Sequence, residues 1–384
     1  MRGLPAVRVG EMRVTGSGKR RAGRALRTQL PLSMPAIPAV RPSALAVLEE
    51  RLRGTKFVTL ESKSVLNPPR QTGMDFWSLN PYVGCEFGCT YCYARYAHRY
   101  VVERAHDQGR LTDAQLADFR GPHGWEAFER RVFVKERLLA ALESDLRRFS
   151  RSASPPDRPT APIVIGTATD PYQPAERRFR LTRRLLERLA RCEGLNVGII
   201  TKSPLIARDV DVLLQLQARN DLEVHISLIT ADVRLIRTFE ARSPMPAVRL
   251  RALRKLTDAG VNAGLIIAPV LPGITDDVPH LEALFQAARQ AGARFVHAGP
   301  LRLYAGVRDC FLPVIEAHFP HLTERYRQAY ARHGAAPREY ARALSRRIKR
   351  LQGAFGFAVN EEMVDRYKSR LPVLQGELNL GARC

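Results

Sequence analysis

The chain has 384 residues, with 61 Lys and Arg against 38 Asp and Glu, for a formal charge of +23. Six cysteines over this length are too sparse for a disulfide-stapled secreted scaffold. No apolar run of about 18 residues is present to span a bilayer, and no apolar leader opens the chain, so a soluble, cytoplasmic protein outside the membrane is expected. The cationic surplus points to an anionic partner, nucleic acid above all, because phosphate neutralisation needs no base-specific contact. An arginine-rich coding bias explains the charge equally well.

Residues 1–42 carry Arg2, Arg8, Arg13, Lys19, Arg20, Arg21, Arg24 and Arg27 against one acid, Glu11, and read as a disordered basic tail. Ser43 is placed to cap a short helix to Arg53. Lys63 to Leu79 leads into a first strand over Ser78 to Gly84. Helices are predicted from Tyr93 to His106 and from Glu126 to Phe149, the latter with Leu138, Leu142, Leu146 and Phe149 as a core-facing stripe. Ser150 to Pro162 reads as a surface linker.

Short β-branched runs then alternate with amphipathic helices. The runs are 162–166, 197–200, 224–229, 264–268 and 295–298; the helices include Leu181 to Cys192 and Leu281 to Ala291. Such runs suit parallel strands buried on both faces, and with the first strand they make six βα units. Residues 43–304 are read as this α/β core with its lead-in. Residues 305–384 are read as a helical extension, with helices over His318 to His333 and Pro337 to Gly353.

Between the first strand and the helix at Tyr93, Cys85, Cys89 and Cys92 stand at x3 and x2 spacing, half of the cysteines in eight residues. Three thiolates from one loop wrap a small inorganic centre, and three is one short of a closed structural zinc site or a four-thiolate electron carrier. A zinc knuckle completed by His98 or a distant cysteine stays open on the spacing alone.

Cys85-x3-Cys89-x2-Cys92, with Tyr91 before the third cysteine, resembles the signature of the radical S-adenosylmethionine (SAM) enzymes. Asn80-Pro81-Tyr82-Val83-Gly84-Cys85, Cys92-Tyr93-Ala94-Arg95, Gly166 through Glu176 and Ile200-Thr201-Lys202-Ser203 together resemble the branch related to spore photoproduct lyase, over roughly Lys63 to Tyr304. The resemblance implies an open (β/α)6 partial barrel of the TIM type. It implies a [4Fe-4S] cluster on Cys85, Cys89 and Cys92 whose open iron binds SAM, reductive SAM cleavage, and hydrogen abstraction from a substrate. An electron donor such as flavodoxin or ferredoxin follows.

By the same resemblance Thr169 and Asp170 face the SAM amino group, and Lys202 and Ser227 face its carboxylate or ribose. Glu240 and Arg242 are read as SAM contacts or as an ion pair, and Tyr172, Gln173 and Glu176 as a polar cluster at the mouth. Tyr91 and Tyr93 bracket Cys92, the second standing where the lyases relay a hydrogen atom. The chain departs from them at Thr167, where the lyases place a hydrogen-donor cysteine. An O–H bond is far stronger than S–H, so threonine cannot take that part and photoproduct-lyase activity itself is not expected. Cys310 substitutes only if it reaches the mouth. Arg302 and Tyr304 suit a nucleotide phosphate and base. The reading from another class is a non-catalytic iron–sulfur or zinc protein that binds nucleic acid.

Overall fold

Two sheets are built in chain order. In the computed structural model, which describes residues 47–50, 54–72, 74–120, 126–151, 162–332 and 334–359, the strands begin with β1 (Val47–Glu50), β2 (Lys56–Glu61), β3 (Leu66–Asn67), β4 (Trp77–Leu79), β5 (Tyr82–Val83) and β6 (Arg131–Glu136). They continue with β7 (Ile163–Ile165), β8 (Asn196–Thr201), β9 (Asp221–Ser227), β10 (Ala263–Val270) and β11 (Val296–Pro300). The larger sheet runs β11-β10-β9-β8-β7-β4-β3, the smaller β1-β2-β6-β5.

From β4 through β11 the larger sheet is parallel at every step, so it holds the six strands of six βα units, with β3 antiparallel at its edge. The strands are mostly apolar because helices cover one face and the interior fills the other, with Glu223, His225 and Ser227 on β9 and His297 on β11 as polar exceptions. Val197, Ile199, Val224, Ile226, Leu265 and Ile267 are fully buried. In helix Leu181–Leu189 the leucines at 185, 186 and 189 are fully buried as well, each worth about 1.5–3 kcal/mol. This is the open (β/α)6 architecture expected.

Four local expectations are corrected. Val47–Glu50 is a strand, not part of a helix; its pairing of Val47 with Val58 on the buried β2 outweighs local helix propensity. The first strand divides: β4 stops at Leu79, and after Asn80-Pro81 the chain crosses to the smaller sheet, where Tyr82 pairs with Val134. Within the helix read over Glu126 to Phe149, Arg131–Glu136 is instead β6, between helices Ala127–Arg130 and Leu138–Arg151. Val132, Phe133 and Val134 are buried strand formers, and Arg137 at φ 54° turns the chain into the following helix. The helix read over His318 to His333 is really the end of Ala305–His318, then a turn at Pro320 and a separate helix Thr323–Ala329. The basic tail and residues 360–384 lie outside the described residues, as does most of the linker after Ser150.

The C-terminal helices share the main core through Tyr326, Leu344, Ile348 and Leu351. Gln352 Nε2 donates to Val296 O at 2.9 Å and Tyr326 OH to Pro272 O at 2.8 Å, tying them to the β10 and β11 edge. Among the described residues no helix is long and apolar enough to cross a membrane.

His98, offered above as a zinc ligand, serves packing instead. It is buried among Phe119, Phe128 and Phe133, with Nε2 2.8 Å from Arg131 O. Burial lowers its pKa from 6.5 to about 4. Between those values the unfolded chain takes a proton that the folded chain refuses, so stability is full above pH 6.5 and drains as pH falls toward 4. We expect this residue to account for a loss of roughly 2 kcal/mol between pH 7 and pH 5. Urea unfolding at the two values checks it, and equal free energies would contradict it.

Candidate active site

The cysteine loop is shaped by close backbone approach. Gly84 has φ 94°, and a Cβ there would stand 2.8 Å from Phe128 O and 3.1 Å from Arg131 O. A residue other than glycine would therefore push the loop off the strand that supports it. Cys85 N donates to Phe128 O at 2.9 Å, Thr90 N to Phe239 O at 2.9 Å and Cys92 N to Cys89 O at 3.2 Å.

Side chains brace the loop from two sides. Gln173 Nε2 donates to Gly84 O at 3.0 Å and to Thr169 Oγ1 at 2.7 Å, while its Oε1 accepts from Glu86 N at 3.0 Å. Thr169 Oγ1 donates to Gly84 O at 2.6 Å. On the other side Arg95 Nη2 donates to Cys89 O at 2.8 Å and to Glu129 Oε1 at 2.6 Å. Arg242 bonds the second oxygen of Glu129 and donates through Nε to Glu86 O at 2.7 Å. Glu129, with one-tenth of its side chain exposed, thus clamps two guanidinium groups against the loop.

Cys85, Cys89 and Cys92 are free thiols that line a cavity of about 1820 Å³ at the C-terminal ends of the β4 to β11 strands. Burial pushes all three thiol pKa values up; for Cys85 the Asp170 charge adds to it, and for Cys92 burial outweighs Arg95. A thiolate at this depth needs a cationic centre beside it.

Across the cavity stand the other candidates. Asp170 is held by Thr201 Oγ1 at 2.6 Å, Tyr172 N at 2.9 Å and Lys202 N at 2.7 Å. Burial nevertheless raises its pKa. Lys202 Nζ donates to Ser227 Oγ at 3.2 Å and lies 5.7 Å from the centre of the Tyr91 ring. Burial opposes its charge, but Cys89 and Glu240 outweigh burial and its pKa is raised. Tyr91 donates its hydroxyl to Glu240, which Arg249 and Ser243 also hold. Burial alone would raise the Glu240 pKa; the Arg249 and Lys202 charges prevail and draw it down to about 2. Glu240 is therefore a fixed anion, with no proton to give. Tyr93 stacks on Tyr96 at 6.4 Å between centroids.

The candidates thus divide. Tyr91, Tyr93, Thr169, Asp170, Lys202 and Ser227 all border the cavity with the three cysteines, as do Arg302 and Tyr304. Arg242 does not; its partner is Glu129 rather than Glu240, because Glu240 is taken by Arg249. Gln173 and Glu176 are fully buried beneath the mouth, Glu176 accepting from Tyr82 OH at 2.6 Å and Thr182 N at 2.9 Å, so the polar cluster read there is a brace. Cys310 sits buried on helix Ala305–His318, its thiol pushed up to about 11 by burial, and is not part of the cavity wall. Thr167 does reach the wall. Its Oγ1 lies 2.6 Å from Ser78 Oγ, and Asn80 Nδ2 donates to both at 2.9 Å. Sequence reasoning missed Glu129, Arg249 and the joining of Ser78, Asn80 and Thr167 into one cluster, although Asn80, at the head of the cysteine motif, and Thr167, in the Gly166 motif, each carried a local signal.

Comparison with known proteins accords with this geometry. Residues 79–284 match the radical SAM superfamily. An uncharacterised protein of Mycobacterium tuberculosis is 30% identical over 333 residues, covering 86% of this chain and 90% of that protein. An uncharacterised protein of Methanocaldococcus jannaschii is 25% identical over 221 residues, 58% of this chain and 70% of that one. Among solved structures, spore photoproduct lyase complexed with dinucleoside spore photoproduct has the same fold, with a TM-score of 0.56 at 15% identity, covering 78% of this chain and 79% of that one. A doubly substituted mutant of that lyase with bound AdoMet and dinucleoside spore photoproduct matches at 0.52 and 15% identity, covering 73% and 74%. A match across more than half of the chain, together with buried thiols opening on one cavity at the strand ends, decides the family: this chain belongs to the radical SAM superfamily of enzymes.

Proposed function

We propose that Cys85, Cys89 and Cys92 hold a [4Fe-4S] cluster, that SAM is bound between them and the Asp170–Lys202–Ser227 edge, and that the substrate is a nucleic acid. The observation that carries this reading is the convergence of three free thiols, Cys85 and Cys89 buried and Cys92 half-buried, and that charged edge on one cavity. The bound pair supplies one-electron reductive cleavage of SAM, chemistry that belongs to the cofactors.

The chain's own part is binding and orientation. Lys202, kept protonated by its anionic neighbours, offers a cation to the SAM carboxylate, and Ser227 a hydroxyl beside it. Asp170 offers an anion to the SAM ammonium while the strand-end donors fix its direction. Thr169, Gln173, Arg95 and Arg242 position the loop without touching the reacting atoms. Tyr91, anchored on Glu240, stays protonated and rigid; Tyr93 faces the cavity as the relay candidate.

Nucleic acid is favoured by the +23 charge, by Arg302 and Tyr304 at the wall, and by a cavity roomy enough for a dinucleotide beside SAM. The same fold accommodates a dinucleoside photoproduct in spore photoproduct lyase. Thr167 argues for a different reaction on that class of substrate, because its hydroxyl cannot serve as a hydrogen-atom donor. A reduced flavodoxin or ferredoxin in the cytoplasm is the proposed electron source.

Anaerobic reconstitution with iron and sulfide, dithionite reduction with SAM, and chromatography for 5′-deoxyadenosine test the reading. We expect 5′-deoxyadenosine, formed several-fold faster with DNA or RNA. A full cluster that cleaves no SAM would overturn the catalytic reading, and cleavage indifferent to either polymer would overturn the substrate class.

A further inference from the structure

A second group of donor atoms lies in the same sheet, away from the cysteine loop. On β9, Glu223, His225 and Ser227 fall on one face by the two-residue period of a strand. Ser227 borders the cavity. Glu223 is four residues nearer the N-terminal end, about 13 Å away along the strand at about 3.3 Å per residue. On β11, His297 stands on the same side as Gly299, which also borders the cavity.

β9 and β11 are not neighbours; β10 runs between them. The histidines meet because the β10 residue paired with His225 is Gly264. A Cβ at Gly264 would stand 2.4 Å from the Phe295 ring, so the side chains of the flanking strands lean into the space that a larger residue would take. Ring centroids are 5.6 Å apart for His225 and His297, and each ring packs on Phe295 at under 5 Å, 4.9 Å and 4.8 Å respectively. His225 Nε2 lies 3.4 Å from Glu223 Oε2. One donor atom from each of Glu223, His225 and His297 falls within 4.8 Å of the others, and among the described residues no other such group of His, Cys, Asp and Glu occurs.

Packing alone leaves a fault in this cluster. His225 is only 8% exposed, and its Nδ1 is buried without a hydrogen-bond partner among the described residues. A core that wanted aromatic rings here is served by phenylalanine, as at Phe295, with no polar atom to strand. Two imidazoles and a carboxylate are instead the donor set of zinc and ferrous sites, and tetrahedral bonds of about 2.1 Å hold such donors about 3.4 Å apart. The Glu223 side chain is 42% exposed, which opens the cluster to solvent at that end.

We propose that Glu223, His225 and His297 bind one divalent transition-metal ion of the zinc class, with a coordination position left for water. The site uses none of the cysteine-loop residues, so it stands or falls apart from the iron–sulfur reading.

The test is equilibrium dialysis of the full chain, with its iron–sulfur centre assembled, against zinc chloride, reading zinc and iron per chain. One zinc beyond the iron is expected in the native protein. His297→Gln is expected to weaken zinc binding by at least about 100-fold, the upper end of what loss of even an outer partner costs. Glu223→Gln, at a half-exposed position that the fold tolerates, is expected to weaken it at least tenfold with iron content and circular dichroism unchanged. Cobalt(II) in place of zinc is expected to show visible bands without thiolate charge transfer. Absence of zinc binding by the native chain, undiminished binding by folded Glu223→Gln, or zinc that is lost on cysteine substitution and retained on histidine substitution would each overturn the proposal.

Discussion

Cys89→Ala is expected to abolish both iron–sulfur absorbance and SAM cleavage while leaving the fold intact. The residue's backbone, not its thiol, carries its structural contacts: its carbonyl accepts from Arg95 and its chain pairs in an isolated bridge with Glu240. Deleting one sulfur removes a small, largely buried group, a cost of about 1 kcal/mol. On the proposed ligand set two thiolates then remain where three are required, and the same holds for Cys85→Ala and Cys92→Ala. Iron per chain and 5′-deoxyadenosine yield are the readouts, with thermal melting as the control. Cys310→Ala is the matched comparison, since its thiol is buried in a helix outside the cavity wall, and it is expected to retain both iron and turnover. Normal turnover in any of the three loop variants would remove the ligand assignment.

Arg249→Met is expected to cost about 3–5 kcal/mol, the price of stranding a buried charge. Arg249 and Glu240 are both fully buried. The guanidinium also donates to Pro244 O at 2.7 Å, Ser227 O at 2.8 Å and Ser243 Oγ at 2.5 Å, so its loss unsettles the Ser227 end of β9 as well as Glu240. Glu240 keeps Tyr91 and Ser243 but loses the strongest of the charges that hold its pKa near 2. The double variant Glu240→Met with Arg249→Met removes both ions and is expected to recover most of the stability, because a buried pair is worth little against apolar replacements of similar volume. Chemical denaturation of Arg249→Met, Glu240→Met and the double variant gives the coupling energy. Additive losses would mean that the pair is not one unit. SAM affinity of the double variant should still be weakened, since Tyr91 loses its anchor and Lys202 an anionic neighbour.

These two experiments probe different layers, and the layers differ in how far the chain reveals them. The cysteine spacing, the β-branched runs and the leucine stripe of Leu181–Leu189 are local patterns, whose meaning survives without knowing what packs on them. Asp170, Lys202 and Ser227 are legible as neighbours because Asp170 lies in the loop after β7, Lys202 follows β8 and Ser227 ends β9, and strand ends gather at one mouth in this architecture. The second sheet was not legible. β2 and β6 pair Lys56 with Arg131 across an intervening stretch that holds β3, β4, β5 and the cysteine loop, and nothing near Val132-Phe133-Val134 says that it pairs between β2 and β5 rather than lying inside a helix. Nor does the chain tell a clamp from a surface charge: Glu129 and Arg249 read as ordinary ions until burial makes each of them need a partner, and Arg242, itself exposed, is drawn to Glu129 and away from the cavity. The meeting of His225 with His297 depends on an absence, the missing side chain of Gly264 on the strand between them. Short-range chemistry is written in spacing, whereas the cost of burying charge and the space left by a glycine exist only once distant strands lie side by side.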